Sequence, residues 1–159
     1  MKLLAALLVF LFASLSASAQ ERVSNFGLKN QNDQYVEVNF PSDRPVVLIF
    51  GDRKGAGQID GWSKPLYKDY GDKAYIFGIA SLSGVPSYAR GMVRRLIKRQ
   101  TSYSVLLDWG GKVAGRLGYE KNKALVVVVS KSGSVLISRS GAASEGELTA
   151  VKAKINGEL

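Results

Sequence analysis

Residues 51–58 read Gly-Asp-Arg-Lys-Gly-Ala-Gly-Gln, one carboxylate, two cations and three glycines set between the apolar run PVVLIF (45–50) and a helical pattern. Glycines at such a junction let backbone N–H groups close on an anion at a helix N-terminus. Arg53 and Lys54 add positive charge beside those groups. The same residues admit an acid–base reading, with Asp52 and Lys54 acting on an anionic substrate, and a plain one in which Asp52 caps the helix. The 159 residues contain no cysteine and no histidine. Thiol chemistry, imidazole ligation of zinc and a Ser–His nucleophile pair are therefore excluded, and carboxylates, Lys, Arg, Tyr and hydroxyls remain. Asp33, Asp43, Asp60, Asp69 and Asp72 show no calcium-loop spacing, so neither a metal nor a cofactor is expected.

Gly51, Gly55 and Gly57 spell G-x-x-x-G-x-G, and Tyr119 with Lys123 supplies Tyr-x-x-x-Lys, a pair of features that resembles short-chain dehydrogenases. The context opposes a dinucleotide site. The preceding strand is not the first element, the chain is too short for such a domain, and Tyr119 and Lys123 fall in a turn. No Gly-Lys-Ser/Thr follows, so the stretch is not a Walker loop.

The elements that must hold these residues follow an N-terminal targeting pattern. Lys2 precedes an apolar run, Leu3 to Ala13, and Ala17-Ser18-Ala19 has the A-x-A form of a secretory cleavage site. The expected division is a signal peptide, 1–19, and one domain, 20–159, with retention of the segment as an anchor left open. Export to a periplasm or the exterior is the corresponding expectation. With Lys2 removed, 21 basic residues face 13 acidic ones, a balance that favours an acidic protein or an anionic envelope component at low salt.

Beyond residue 20, YVEVNF (35–40) alternates as a strand and PVVLIF reads as a strand covered on both faces. Ile59, Trp62, Leu66 and Tyr70 have helical spacing, although Pro65 is expected to kink or divide that helix. KAYIFGIA (73–80) and SVLLDW (104–109) read as strands. Between them Val85, Ala89, Met92, Val93, Leu96 and Ile97 form an apolar helical stripe, with Arg90, Arg94, Arg95, Lys98 and Arg99 on the remaining face. A short helix in GKVAGRLGY and two strands joined through Lys131-Ser132-Gly133 come next. A last helix is opened by the capping pair Ser144 and Glu147. This order, ββαβαβαββα, implies a mixed sheet with helices on both faces.

The whole domain resembles the thioredoxin-like superfamily, in its secreted branch near peroxiredoxins and ResA-type proteins. LLDWGGKVAGRLGY is similar to that branch's Asp-x-x-Gly-x-Val-Ala-x-x-Tyr-Gly region, and VVVVSKSGSVL to its strand, turn and strand. The resemblance implies a three-layer α/β sandwich. It puts Gly55 and Gln58 where the family carries its two cysteines, Ala56 and Gly57 between them, and Ala124 where it carries a cis-proline. Both sulfurs and the proline are missing, and the Lys123–Ala124 peptide is expected to be trans. KALVVVVSKSGSVL also resembles the cysteine-free YtfJ-type proteins.

A non-redox binding or accessory module follows as the leading reading, beside a small enzyme using Asp52 and Lys54. A third reading has the basic helix dock an acidic partner, against ordinary solvation of its outer face. Arg53, Lys54, Arg90, Arg94, Arg95, Lys98 and Trp109 are the candidate anion or partner contacts. Without interleaved aromatics, a nucleic-acid partner is not expected. Trp109 reads either as a binding platform or as a cover for the core edge, and Trp62 as core.

Overall fold

The computed structural model describes residues 21–159, so the signal-peptide pattern lies outside the described residues. Seven strands and four α-helices follow one another in the order β1 (Phe26–Lys29), β2 (Tyr35–Val38), β3 (Val46–Gly51), α1 (Ala56–Tyr70), β4 (Tyr75–Ser81), α2 (Arg90–Gln100), β5 (Val105–Asp108), α3 (Lys112–Arg116), β6 (Leu125–Val129), β7 (Val135–Ser140) and α4 (Glu145–Asn156). A 3-10 turn, Ser87–Ala89, leads into α2.

The central sheet has the order β5-β4-β3-β6-β7. β3 pairs in parallel with β4 and antiparallel with β6, and β4 pairs in parallel with β5. The two apolar runs lie side by side at its centre, where every residue of β3 and β6 is buried. Alternation divides them between two cores. Val46, Leu48, Phe50, Leu125, Val127 and Val129 face the β1–β2 hairpin and α3, and Val47, Ile49, Val126 and Val128 face α1 and α4. The expected three-layer α/β arrangement is present. Phe26–Lys29 is a strand that the alternation did not disclose, because Gly27 interrupts its side-chain pattern. The exposed ring of Tyr35 lies across Gly27 in the space a side chain there would take.

Of the two outcomes expected of Pro65, a kink or a break, the break does not occur: the helix runs unbroken from Ala56 to Tyr70. Pro65 lacks one N–H, and the residue four before it is Gly61, which adds no side chain to the crowding. Trp62, Leu66 and Tyr70 are buried on both sides of the interruption. The Trp62 indole also donates to the Gly141 carbonyl at 2.8 Å, which fixes the helix to the end of β7. Burial of these large side chains offsets a proline cost of about 3 kcal/mol.

The α2 stripe differs from its expected form. Val85, Val93 and Ile97 pack on Leu82, Val105 and Leu107 at the sheet edge, but Met92 and Leu96 remain exposed and no residue of α2 is fully buried. A helix lying over a two-strand edge covers a narrower strip than one lying over the sheet centre.

Candidate functional site

The chain leaves β3 at Gly51 and turns through Asp52 before α1 begins. One oxygen of the Asp52 carboxylate accepts from the N–H groups of Lys54 (3.0 Å) and Gly55 (2.8 Å). The other accepts from the N–H of Asn122 at 2.7 Å, so a single side chain joins the end of β3, the entry to α1 and the loop before β6. Partial burial acts to raise the Asp52 pKa, but the N–H donors from Gly55, Asn122 and Lys54 outweigh it and hold the carboxyl below its usual value. The Tyr119 hydroxyl is buried beside the Asp52 carboxylate and adds to the interactions that keep it ionised. Burial, and then the nearby Asp52 charge, push the Tyr119 pKa up to about 12.

Asn122 adopts a left-handed backbone conformation, φ 67°, which an asparagine tolerates better than most residues. The reversal it produces lays Lys123 and Ala124 directly over the start of α1. A Cβ built on Gly55 would stand 2.5 Å from the Lys123 carbonyl oxygen and 2.7 Å from its carbon. Gln58, one turn later, accepts the Ala124 N–H on its side-chain oxygen at 3.0 Å. The Lys123–Ala124 peptide is trans, as expected for a residue other than proline. Gly55, by backbone contact with Lys123, and Gln58, by its side-chain bond to Ala124, thus join the two segments in a closed junction, whereas Ala56 and Gly57 between them are exposed.

The amide groups that would form an anion nest here have internal partners. Lys54 and Gly55 donate to the Asp52 carboxylate, Ala56 to the Asp52 carbonyl and Gln58 to the Gly55 carbonyl. The side chains of Arg53 and Lys54 project from the exposed turn beside them. Asp52, held ionised by three donors, lacks the raised pKa and the paired group of a general acid. It serves the turn before α1 and the Asn122 loop together, while Gly55 is the helix's N-terminal boundary residue and brings no side-chain cap.

A second carboxylate shows what the Asp-x-x-Gly segment does in this chain. Asp108 is buried at the end of β5, and its two oxygens accept from the N–H groups of Lys112, Val113 and Ala114 at 3.0–3.1 Å. Gly111 makes the turn possible at φ 63°, with the Ser83 side chain where its Cβ would be. The motif therefore builds the start of α3. The sequence marked this segment through its resemblance to a family motif, whereas nothing in it marked Asn122 as a partner of Asp52.

The basic candidates separate into two groups. The Arg90 guanidinium lies 5.4 Å from the centre of the Trp109 ring, and Arg94 pairs with Asp33 at 2.6 Å, so both are engaged along the flanks of α2. Arg95 and Lys98 stand exposed with Arg99 on its outer surface. Among the described residues no group of three or more carboxylates is gathered as a metal site would require, and no helix is long and apolar enough to cross a membrane.

No family model and no curated protein matches the sequence. Solved structures do match it. A thiol:disulfide interchange protein DsbE from Chlorobium tepidum superposes with a TM-score of 0.64 at 12% identity, over 87% of this chain and 96% of that one. The exposed lipoprotein thioredoxin Etrx1 from Streptococcus pneumoniae gives 0.63 at 16% identity, over 82% and 98%. The peroxidoxin BcpB from Mycobacterium tuberculosis gives 0.60 at 21% identity, over 87% and 96%. At these identities the likeness is one of architecture, and the architecture is the thioredoxin-like α/β fold, formed here by a chain without a cysteine.

Proposed function

We propose that this chain is an exported, periplasmic or secreted, thioredoxin-fold module that binds or assists a partner and carries out no thiol chemistry. The observation that carries this reading is the contact of Gly55 with the Lys123 backbone, together with the Gln58 bond to Ala124. A redox site needs an accessible sulfur at a helix start. Here the equivalent position has no room for a Cβ and its neighbours are tied into a structural joint. The likeness to ResA-type and YtfJ-type proteins and the A-x-A pattern after an apolar run support export.

The reading is tested with purified protein incubated with insulin and dithiothreitol, and separately with hydrogen peroxide. Both rates are expected at background, while crosslinking in the intact envelope followed by mass spectrometry is expected to recover a recurrent partner. A turnover on an anionic substrate that disappears with Lys54→Ala, in protein of unchanged stability, would replace this reading with the enzymatic one.

A further inference from the structure

The outer surface of α2 combines two features that the fold does not use. Met92 and Leu96, at i and i+4 on α2, are 64 and 49% exposed, and Tyr88, in the 3-10 turn that leads into the helix, is 90% exposed. Met92 and Leu96 thus share the flank of α2 between the face that meets the sheet edge and the fully solvated face, and Tyr88 adds an exposed ring at the entry to the helix. Arg95 and Arg99 adjoin this flank and Lys98 lies beyond them. None of the three is ion-paired among the described residues, since Arg94 alone of the helix's cations pairs with a carboxylate, Asp33. No acidic residue occurs anywhere from residue 73 to residue 107. The surface is therefore an apolar strip with a basic rim of Arg95, Lys98 and Arg99, and the carboxylate that reaches this helix, Asp33, is paired with Arg94.

A protein partner would need a contact of roughly 800 Å² on each side, shaped to the surface it covers. Three side chains on a convex helix offer no groove for such a contact. A bilayer is flat, uniformly charged and soft at the headgroup boundary, where an amphipathic helix with cations beside its apolar face lies in the plane. Tyrosine is suited to headgroup depth, methionine and leucine to the acyl edge, and arginine to lipid phosphate.

We propose that α2 docks this module on an anionic lipid surface, with Tyr88, Met92 and Leu96 entering the headgroup boundary and Arg95, Lys98 and Arg99 holding lipid phosphates. The proposal rests on the exported, non-redox reading, and it assigns the membrane face as the surface beside which the module works.

The test uses the chain beginning at Gln20, which contains every element of the fold, and sedimentation with vesicles at about 0.1 M NaCl. Vesicles of phosphatidylcholine with about one-third phosphatidylglycerol are expected to bind it, and pure phosphatidylcholine vesicles are not. The triple variant Arg95→Glu, Lys98→Glu, Arg99→Glu is expected to lower the partition coefficient on the order of 100-fold or more. Tyr88→Ser, Met92→Ser, Leu96→Ser is expected to lower it roughly tenfold and to leave only binding that about 0.5 M NaCl abolishes. These positions are exposed, so circular dichroism and melting temperature are expected to stay unchanged. Equal binding by the parent and both variants would overturn the proposal, as would retention on polyglutamate resin without vesicle binding, which would assign the face to an acidic protein. Failure here leaves the thiol and substrate assays as they stand, and turnover in those assays leaves vesicle binding as it stands, so the two readings fall separately.

Discussion

Asp52→Ala is expected to lower stability by about 3 kcal/mol, roughly 10 °C in melting temperature for a domain of this size. The substitution removes the acceptor of three backbone N–H groups at 2.7–3.0 Å and leaves the turn before α1 and the Asn122 loop without a common partner. Each charge-assisted bond is assigned about 1 kcal/mol net, because the carboxylate is only partly shielded from water. The pH dependence has a defined sign. The folded pKa of Asp52 is depressed, since the backbone donors outweigh burial. Its stabilising contribution is thus present above the unfolded value of about 3.9 and is lost as pH falls through the lower folded value. Urea denaturation is expected to show a constant gap between the parent and Asp52→Asn from pH 7 to pH 5, and a narrowing gap below pH 4. A gap that widened in acid would mean that the folded state binds the Asp52 proton more tightly than the unfolded chain does.

Gly55→Cys is expected to destabilise by about 2–3 kcal/mol, and Gly55→Cys with Gln58→Cys is expected to give no insulin reduction above background at temperatures where it is folded. The Gly55 backbone, φ −70° and ψ −17°, suits any L-residue, so the penalty comes from contact alone. The obstacle is the Lys123 peptide, 2.5 Å from the added carbon, and a backbone group cannot rotate aside as a flexible side chain would. Gly57→Ala is the control within the same segment. It meets no atom within 4 Å, lies inside α1, and is expected to be neutral or stabilising by up to about 1 kcal/mol. Opposite signs at two glycines two residues apart would show that the junction, and not the glycine-rich composition, determines what position 55 accepts.

The elements legible in the sequence were those with strong local signals. VVLIFG and LVVVV are apolar throughout because both faces of these strands are covered, and Ser144 accepts the Glu147 N–H as the capping pair at α4 predicts. Thioredoxin-like architecture was expected from the order of elements and from the resemblance of LLDWGGKVAGRLGY and VVVVSKSGSVL to segments of that superfamily. Strand Phe26–Lys29 was hidden by Gly27, whose missing side chain is replaced by a ring from the opposite strand. The continuity of α1 through Pro65 depends on tertiary burial, which local propensity does not contain. At the candidate site, Asp52 was recognisable as a capping residue. Its link to Asn122 was not, because 70 positions separate the two. The same separation concealed the closure: Gly55 read alone is a flexible residue, and only the Lys123 backbone shows why nothing larger is accommodated there.

The joint between residues 52–58 and 122–124 is tested most directly by native-state hydrogen exchange at the amides of Gly55, Asn122 and Ala124. A closed junction predicts exchange at least about a thousandfold slower than in an unstructured peptide, with protection of Gly55 and Asn122 lost together in Asp52→Ala. Exchange within about tenfold of the unstructured rate in the parent protein would show that these segments part freely, and would contradict a closed junction between residues 52–58 and 122–124.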